Sequence, residues 1–395
     1  MRTIGIISEY NPFHSGHRYH IKQVRRQFGD ESAVVCVMSG NWVQRGDAAI
    51  TDKWSRARMA LEGGADLILE LPTLWAAASA EIFARAGVAL LDAAGCVDVL
   101  SFGSEAGALT PLATVADCFR SEAFPGALRI HLNRGLSFPA ARQRTAESLV
   151  PESAACLRGP NNILGIEYLL ALRDRNSRIQ PHTLPRQGAG HDRTETEASL
   201  HWSASALRER ILNRDPAPLT PYLSPEQESL LRRDPASLTL CAQGVLARLR
   251  SMEEEDFAAL PDSGEGFHHR LYEAACAGRS LEEIFSLART KRYPLARIRR
   301  TILWAFLGLT EADRPAQPPY LRVLGFSQKG QRLLHRMKSE AGLPLIVKPA
   351  HARRLAPADR RVFELEARCT RLYALCRSSS QTSPVLNEYL QNPVR

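Results

Sequence analysis

The 395-residue sequence lacks the features of a secreted or membrane-bound protein. No uncharged run reaches the roughly 18 residues that a membrane-spanning helix needs. The apolar stretch 74–91 is interrupted by Glu81 and Arg85. The apolar run at the N-terminus is too short for a signal peptide and meets Glu9 at once. These absences predict a cytoplasmic protein that engages no membrane.

The sequence also lacks any C-x-x-C pair. Its eight cysteines are scattered, mostly within apolar patterns: Cys36, Cys96, Cys118, Cys156, Cys241, Cys276, Cys369 and Cys376. Such spacing argues against a zinc ribbon or a disulfide framework and favours reduced thiols. The sequence predicts no dedicated metal site and implies no protein partner.

Positive charge is concentrated in the last part of the chain. The net charge is +9, and residues 291–395 hold 20 Lys and Arg against 7 Asp and Glu, which leaves residues 1–290 at −4. This asymmetry is typical of a module that binds a polyanion. The basic residues are interleaved with Tyr293 and Phe326, which suits phosphate contacts and base stacking in a folded RNA. The candidate RNA-binding residues are Arg289, Lys291, Arg292, Arg297, Arg299, Arg300, Lys329 and Arg332.

Strand and helix patterns alternate along the first part of the chain. Apolar runs at 4–7, 33–38, 67–71 and 97–102 predict buried strands, and helical patterns at 53–62 and 79–91 lie between them. This alternation predicts an α/β fold with a Rossmann-like, doubly wound parallel sheet of nucleotidylyltransferase type. Prolines mark a linker at 215–225. The predicted units are therefore a catalytic domain at 1–214 and a mainly helical, basic RNA-binding domain at 226–395.

One short stretch, residues 4–17, carries the clearest chemical signal. An apolar strand breaks at Asn11-Pro12, and a helical pattern starts after Gly16 and is capped by Gly29. A strand, a turn and a helix start present backbone N–H groups and a positive helix end to a phosphate. His14 and His17 lie in this turn and could both reach one anion, because imidazole donates hydrogen bonds to developing negative charge.

Three later segments also suit a nucleotide. The Asn161-Asn162 pair opens an apolar helix and could cap it or contact a ribose or a base edge. A Gly-rich turn is predicted at 183–192, holding Arg186 and His191. Ser203 and Ser205 open a further helix whose second turn carries Arg208, which is again an anion-binding layout. Loops at 8–17, 39–47 and 103–107 follow predicted strands, so we expect them to converge at one sheet edge.

With these residues laid out, the chain resembles two groups of proteins. His14-Ser15-Gly16-His17 is similar to the H-x-G-H signature of the nucleotidylyltransferase superfamily, and 203–208 is similar to its second, triphosphate-holding signature. Nearly end to end, the chain resembles the bacterial tRNA(Met) cytidine acetate ligase family. The matching segments are EYNPFHSGHRYH (9–20), MSGNWVQRGD (38–47), DKWSRARMAL (52–61), GADLILELP (64–72), FGSE (102–105), PNNILGIEY (160–168), SASALR (203–208), TKRYPLARIRR (290–300) and RVLGFSQKG (322–330). The family's Tyr-His-Asp run is replaced here by Gly190-His191-Asp192.

The resemblance implies a two-step ligase whose substrates are ATP, accompanied by Mg²⁺, acetate and elongator tRNA(Met). Acetate and ATP would give acetyl-adenylate, and the acetyl group would pass to N4 of the wobble cytidine. Catalytic roles are implied for His14, His17, Ser203, Ser205 and Arg208, and tRNA binding for the basic residues named above. The implied ATP contacts are Ile7, Ser8, Glu9, Tyr10, Asn11, Pro12, Phe13, His14, Ser15, Gly16, His17, Arg18, Tyr19, His20, Gly103, Asn161, Asn162 and Arg186.

Two other functions are compatible with parts of the sequence. A small-molecule adenylyltransferase would use the same N-terminal motif, although a small substrate needs no basic C-terminal surface. A non-catalytic RNA-binding protein with a degenerate nucleotide fold would need neither His14 nor His17.

Overall fold

The computed structural model describes residues 1–186, 203–381 and 384–395. The β-strands are β1 (Thr3–Ser8), β2 (Ala33–Ser39), β3 (Trp42–Val43), β4 (Asp47–Ala48), β5 (Leu67–Leu71), β6 (Val99–Ser104), β7 (Gln180–Pro185), β8 (Leu321–Phe326) and β9 (Leu345–Ile346).

Helices account for most of the remaining chain. The α-helices are α1 (Ser15–Phe28), α2 (Lys53–Glu62), α3 (Thr73–Ala76), α4 (Ala80–Ala93), α5 (Leu109–Arg120), α6 (Ala123–Asn133), α7 (Phe138–Leu149), α8 (Pro151–Ala154), α9 (Pro160–Asp174), α10 (Ala204–Leu212), α11 (Pro225–Arg233), α12 (Ala242–Arg250), α13 (Glu254–Ala258), α14 (Phe267–Ala277), α15 (Leu281–Ala288), α16 (Leu295–Leu307), α17 (Gln328–Glu340) and α18 (Pro357–Tyr373). Short 3₁₀ helices lie at Ala155–Arg158, Leu238–Cys241, Glu311–Asp313, Pro349–Arg354, Ala374–Cys376 and Glu388–Leu390.

The central sheet has the strand order β7-β6-β1-β2-β5-β8-β9. The five strands from β7 to β5 are parallel, and β8 joins β5 in the antiparallel direction. β1 and β2 are buried along almost their whole length, which explains their continuous apolar sequences. The predicted doubly wound α/β fold is therefore confirmed.

Chain order places a ligand site at one end of this sheet. From β1 the chain moves outward to β2 and β5, and then returns to the other side of β1 to form β6 and β7. The reversal lies between β1 and β6, which end at Ser8 and Ser104. In open parallel sheets ligands bind beyond the strand ends at such a reversal.

Two strands, β7 and β8, lie where the sequence patterns did not predict strands. Residues 183–185 were predicted to begin a Gly-rich turn, but they end the edge strand β7, which pairs with β6. Phe326 was expected to lie among basic residues and to stack on RNA bases, but it ends the buried strand β8. The sheet therefore takes strands from both sides of the predicted linker, while the division into functional domains stays a prediction. His191 lies outside the described residues.

A buried ionic cluster attaches the C-terminal segment to the sheet. Lys53 Nζ lies 2.6 Å from Glu70 Oε1 and 2.7 Å from Glu388 Oε2, and Arg322 Nη2 lies 3.4 Å from Glu388 Oε1. Burial raises the pKa of Glu70 to about 8, despite the nearby Lys53. None of the helices in the described part of the chain is long and apolar enough to cross a membrane.

Candidate active site

A cavity of about 720 Å³ opens at the predicted end of the sheet. Its walls come from the end of β1 and the loop after it, from the turn between β3 and β4, and from the ends of β6 and β7. The helices α1, α4, α9, α10 and α16 supply the rest of the lining. The polar and charged residues that line it are Ser8, Glu9, Tyr10, Asn11, His14, His17, Tyr19, His20, Gln44, Arg45, Asn161, Tyr168, Arg186, Ser203, Ser205, Arg208, Arg299 and Arg300. Among the described lining residues Glu9 is the only carboxylate, so the cavity is suited to an anion.

The start of α1 holds the two signature histidines against each other. His14 caps the helix, and its Nδ1 accepts a hydrogen bond from Gly16 N at 3.0 Å. His17 Nδ1 accepts one from His14 N at 3.2 Å, and the ring centroids lie 4.0 Å apart. Each neutral ring therefore carries its proton on Nε2 as a donor. A Cβ at Gly16 would lie 2.8 Å from the His14 ring, so glycine gives this ring its space.

Two histidines of this wall, His17 and His20, are neutral at physiological pH. Burial lowers the pKa of His17 well below its usual range, and the nearby His14 and Arg186 lower it further. Burial also lowers the pKa of His20 to about 4, with contributions from His182 and Arg186. A neutral imidazole can act as an oriented N–H donor toward phosphate without first losing a proton.

His20 begins a hydrogen-bonded chain that leads to the surface. Its Nε2 lies 2.8 Å from Ser101 Oγ, which lies 3.0 Å from His182 Nδ1. His182 Nε2 in turn lies 2.8 Å from Oε1 of the exposed Gln27. This chain fixes the orientation of the His20 ring at the cavity wall.

We expect the neutral His20 to make the fold sensitive to acid. Its pKa is lower in the folded chain than the unfolded value of 6.5, so the unfolded state binds more protons below about pH 6.5 and stability falls as the pH drops toward 4. The loss is about 2–3 kcal/mol. Urea unfolding of the wild type and of His20→Gln at pH 7 and pH 4.5 measures it. The variant should lose correspondingly less stability, and equal losses in both proteins would contradict the assignment.

Two serines and an arginine at the start of α10 form another part of the cavity wall. Ser203 caps α10 through Ala206 N, and Arg208 Nη1 donates to the Asn11 carbonyl at 2.5 Å. Arg208 Nη2 also donates to Ser205 Oγ at 3.1 Å, so α10 is held to the loop after β1. Burial lowers the pKa of Arg208, and Glu9 partly offsets that effect.

Arg186 extends from the end of β7 into the same cavity. Its Nη1 donates to Asn161 Oδ1 at 2.7 Å, and Asn161 Nδ2 donates to Glu105 Oε1 at 2.6 Å. Glu105 also accepts from the Asn162 backbone N–H at 2.7 Å, which caps α9. The loop after β6 and the start of α9 are therefore linked by hydrogen bonds, and the Arg186 side chain is bound to Asn161 in the cavity wall.

The helix α16 adds a wall that the predicted catalytic domain does not contain. Leu295, Ala296, Arg299 and Arg300 line the cavity, although they follow the proline-rich linker. Gly46 (φ +73°) allows the turn between β3 and β4 to touch this helix, since a Cβ there would lie 2.5 Å from backbone atoms of Arg299 and Arg300. Arg299 and Arg300, predicted to bind tRNA, thus share one cavity with the histidines.

Most of the predicted nucleotide-binding residues line the cavity, and five do not. Phe13 is buried in the core, Asn162 Oδ1 accepts a hydrogen bond from Ala106 N, and Arg18 lies exposed on the outer side of α1. Pro12 and Ser15 also lie outside the lining. For Asn162 the geometry favours a structural role over the predicted contact with the nucleotide.

The predicted RNA-binding residues are more dispersed. Arg289, Lys291 and Arg292 are exposed, whereas Arg297 donates to the Asp262 carbonyl at 2.9 Å and stacks near Phe267. Tyr293 and Phe326 are buried, so their rings are not presented to bases as the sequence pattern suggested.

Sequence reasoning missed Arg56, whose fully buried guanidinium organises two loops. Its Nη1 donates to the carbonyls of Glu9 at 2.6 Å and Ser39 at 3.1 Å, and its Nη2 donates to the Gly40 carbonyl. The only sequence signal was an arginine on the inner face of the predicted helix at 53–62. The apolar wall, which includes Phe83, Phe102 and Leu164, carried no signal because such residues resemble ordinary core.

Among the described residues, one group of three metal-ligating side chains lies close enough to hold an ion. Glu254, His268 and His269 form this group, and none of them lines the cavity.

Comparison with known proteins identifies the family of this chain. The model of the HIGH Nucleotidyl Transferase family matches residues 1–387. The chain belongs to this family. A tRNA(Met) cytidine acetate ligase of Alkaliphilus metalliredigens is 33% identical over 100% of this chain and 98% of the relative. The protein of the same name from Halothermothrix orenii is 38% identical over 88% of this chain and 87% of the relative.

Two solved structures agree with this chain in fold. Thermotoga maritima TmcAL in its apo form I has a TM-score of 0.93 and 29% identity, covering 100% of this chain and 99% of the other. The same protein bound with alpha-thio ATP has a TM-score of 0.90 and 28% identity at the same coverage.

Proposed function

We propose that this protein is an ATP-dependent tRNA(Met) cytidine acetate ligase. The observation that carries the proposal is one cavity that joins the H-x-G-H histidines, Arg186 and Arg208 to two arginines of α16. Full-length relatives that bear this ligase name, and a neighbouring structure bound with alpha-thio ATP, support the choice of substrates.

In the first step, acetate attacks the α-phosphorus of ATP and pyrophosphate leaves. A carboxylate is a weak nucleophile, so the protein acts by positioning the reactants and by stabilising charge on the phosphates. The Nε2–H groups of His14 and His17 serve one side of the triphosphate. Arg208 and the hydroxyls of Ser203 and Ser205 serve the other side, while Arg186 neutralises a phosphate or the acetate.

In the second step, the exocyclic amine of the wobble cytidine attacks the carbonyl carbon of acetyl-adenylate. A C–N bond forms, the bond between the carbonyl carbon and the phosphate oxygen breaks, and the amine loses one proton to water or to a base. The nucleotide monophosphate leaves as a stable anion. No acyl-enzyme is required, which fits the buried positions of seven of the eight free cysteines.

The cavity fits a Mg²⁺ ion that enters with the nucleotide. Mg²⁺ is usually held by one or two carboxylates together with substrate phosphates. Glu9 is the single carboxylate among the described lining residues and would supply that protein ligand. The free cysteines are compatible with work in the cytoplasm, where thiols stay reduced.

Mass spectrometry of tRNA tests the proposal directly. Purified protein is incubated with ATP, isotopically labelled acetate and elongator tRNA(Met), and the tRNA is digested to nucleosides. We expect labelled N4-acetylcytidine, and none when the same tRNA carries uridine at the wobble position. Labelled acetyl-adenylate without any labelled nucleoside would instead indicate a small-molecule adenylyltransferase.

A further inference from the structure

We propose that the outer face of α1, together with the start of α17, is a track for the phosphodiester backbone of the RNA substrate. The inference rests on the proposed function and adds a surface on the nucleotide-binding half of the chain. The track consists of Arg18, Lys22 and Arg26 on α1, and Lys329 and Arg332 on α17.

The sequence of α1 is unusual in charge. Between Ser15 and Phe28 it has four Arg or Lys residues and no Asp or Glu. Arg18, Lys22 and Arg26 follow each other at four-residue spacing, and all three are exposed. Such residues form a single stripe along a helix, here roughly 12 Å long.

The charges of this stripe are not used within the part of the chain that the structure describes. Arg25, on the neighbouring face, donates to Asp66 at 2.7 Å and to the Gly64 carbonyl at 2.8 Å. These bonds give the Arg25 cation a structural role within the fold. No such bond is made by Arg18, Lys22 or Arg26 within the described ranges. With Arg25 and one carboxylate, Asp30, their cations line a groove that passes beside Gly63 and Gly64.

Cations distant in sequence extend the same surface. Lys329 Nζ donates to the Asp30 carbonyl at 2.9 Å and lies 3.4 Å from the Ser32 carbonyl, so the start of α17 lies beside the end of α1. Arg332 is exposed one turn further along α17. Two helices that are 300 residues apart in the chain therefore present one basic surface.

The stripe is also connected to the cavity. The same helix begins with His14 as its cap and carries His17 and His20 on its inner side. In contrast, arginines of the predicted cluster at 289–300 are already paired with carboxylates, because Arg300 lies 3.6 Å from Asp262 and Arg292 lies 3.6 Å from Glu265. An RNA strand along α1 would approach the mouth of the cavity, which favours RNA over an acidic protein as the partner.

Salt dependence of tRNA binding tests the inference. The variant K22Q/R26Q removes two cations outside the cavity, and binding of fluorescent tRNA(Met) is measured by anisotropy over a range of KCl concentrations. Each lost phosphate contact lowers the slope of log K against log [salt] by about 0.7–0.9. We therefore expect the slope to fall in magnitude by about 1.5 and binding to weaken at low salt.

The matched control is R353Q/R354Q, which removes two exposed cations next to the far edge strand β9. Its slope should stay close to that of the wild type. An unchanged slope for K22Q/R26Q, or an equal fall in both variants, would overturn the proposal.

Acetate-dependent exchange of pyrophosphate into ATP, measured without tRNA, should be unchanged in K22Q/R26Q. Absence of that exchange in the wild type would refute the proposed function. The salt slopes would still show whether Lys22 and Arg26 contact the RNA, because they measure binding alone.

Discussion

Replacing His17 with alanine is expected to lower the rate of acetate-dependent exchange between pyrophosphate and ATP by about 100- to 1,000-fold. Removing one preorganised donor to a developing anion typically costs this much. His17 is already oriented, because its Nδ1 is occupied by the His14 backbone N–H at 3.2 Å. The exchange assay with labelled pyrophosphate measures the first step alone.

The binding of tRNA by His17→Ala should be within about twofold of the wild type, since the substitution removes no surface cation. His131→Ala is a matched control, because His131 lies in the last turn of α6 and outside the cavity. Exchange by His17→Ala at the rate of His131→Ala would refute the role assigned to the signature histidines.

Replacing Lys53 with methionine is expected to lower the free energy of unfolding by about 3–5 kcal/mol. The Lys53 side chain is fully buried between Glu70 and Glu388, and Glu366 Oε1 lies 3.7 Å away. Removing the ammonium leaves buried carboxylates without their main counter-charge. Urea unfolding followed by circular dichroism measures the loss.

Two comparisons separate this buried cluster from ordinary ion pairs. Arg336→Met breaks a surface pair with Glu340 on α17 and should cost at most about 1 kcal/mol. Glu70→Gln keeps the shape of a carboxyl group that is mostly protonated at pH 7, so its effect should be clearly smaller than that of Lys53→Met. A loss below 1 kcal/mol for Lys53→Met would mean that the cluster contributes little to stability.

The sequence was sufficient for the parts of the fold in which local pattern and tertiary environment agree. β1, β2 and β5 are buried on both faces, so each appears as a short continuous apolar run. The turn between β1 and α1 was recognisable because Asn11-Pro12 and Gly16 interrupt these patterns. Their order along the chain was enough to predict the nucleotide-binding end of the sheet.

The sequence was not sufficient where a distant partner decides the environment. β7 contains Pro181 and Pro185 and polar side chains, which a strand tolerates only at a sheet edge. β8 contains Arg322, which resembles a surface cation until Glu388, 66 residues later, is placed beside it. For the same reason no local pattern could show that Arg299 and Arg300 reach the cavity.

The antiparallel pairing of β8 with β5 bears on how this protein is made. The ribosome synthesises the nucleotide-binding part of the chain first. At that stage β5 lacks its pairing partner β8, and Lys53 lacks its ion-pair partner Glu388. On the other side of β8, Val394 N donates to the Leu324 carbonyl at 2.9 Å. The nascent polypeptide can therefore cover the β5 edge only after β8 has been synthesised, and Lys53 gains this counter-charge only after Glu388 has been synthesised.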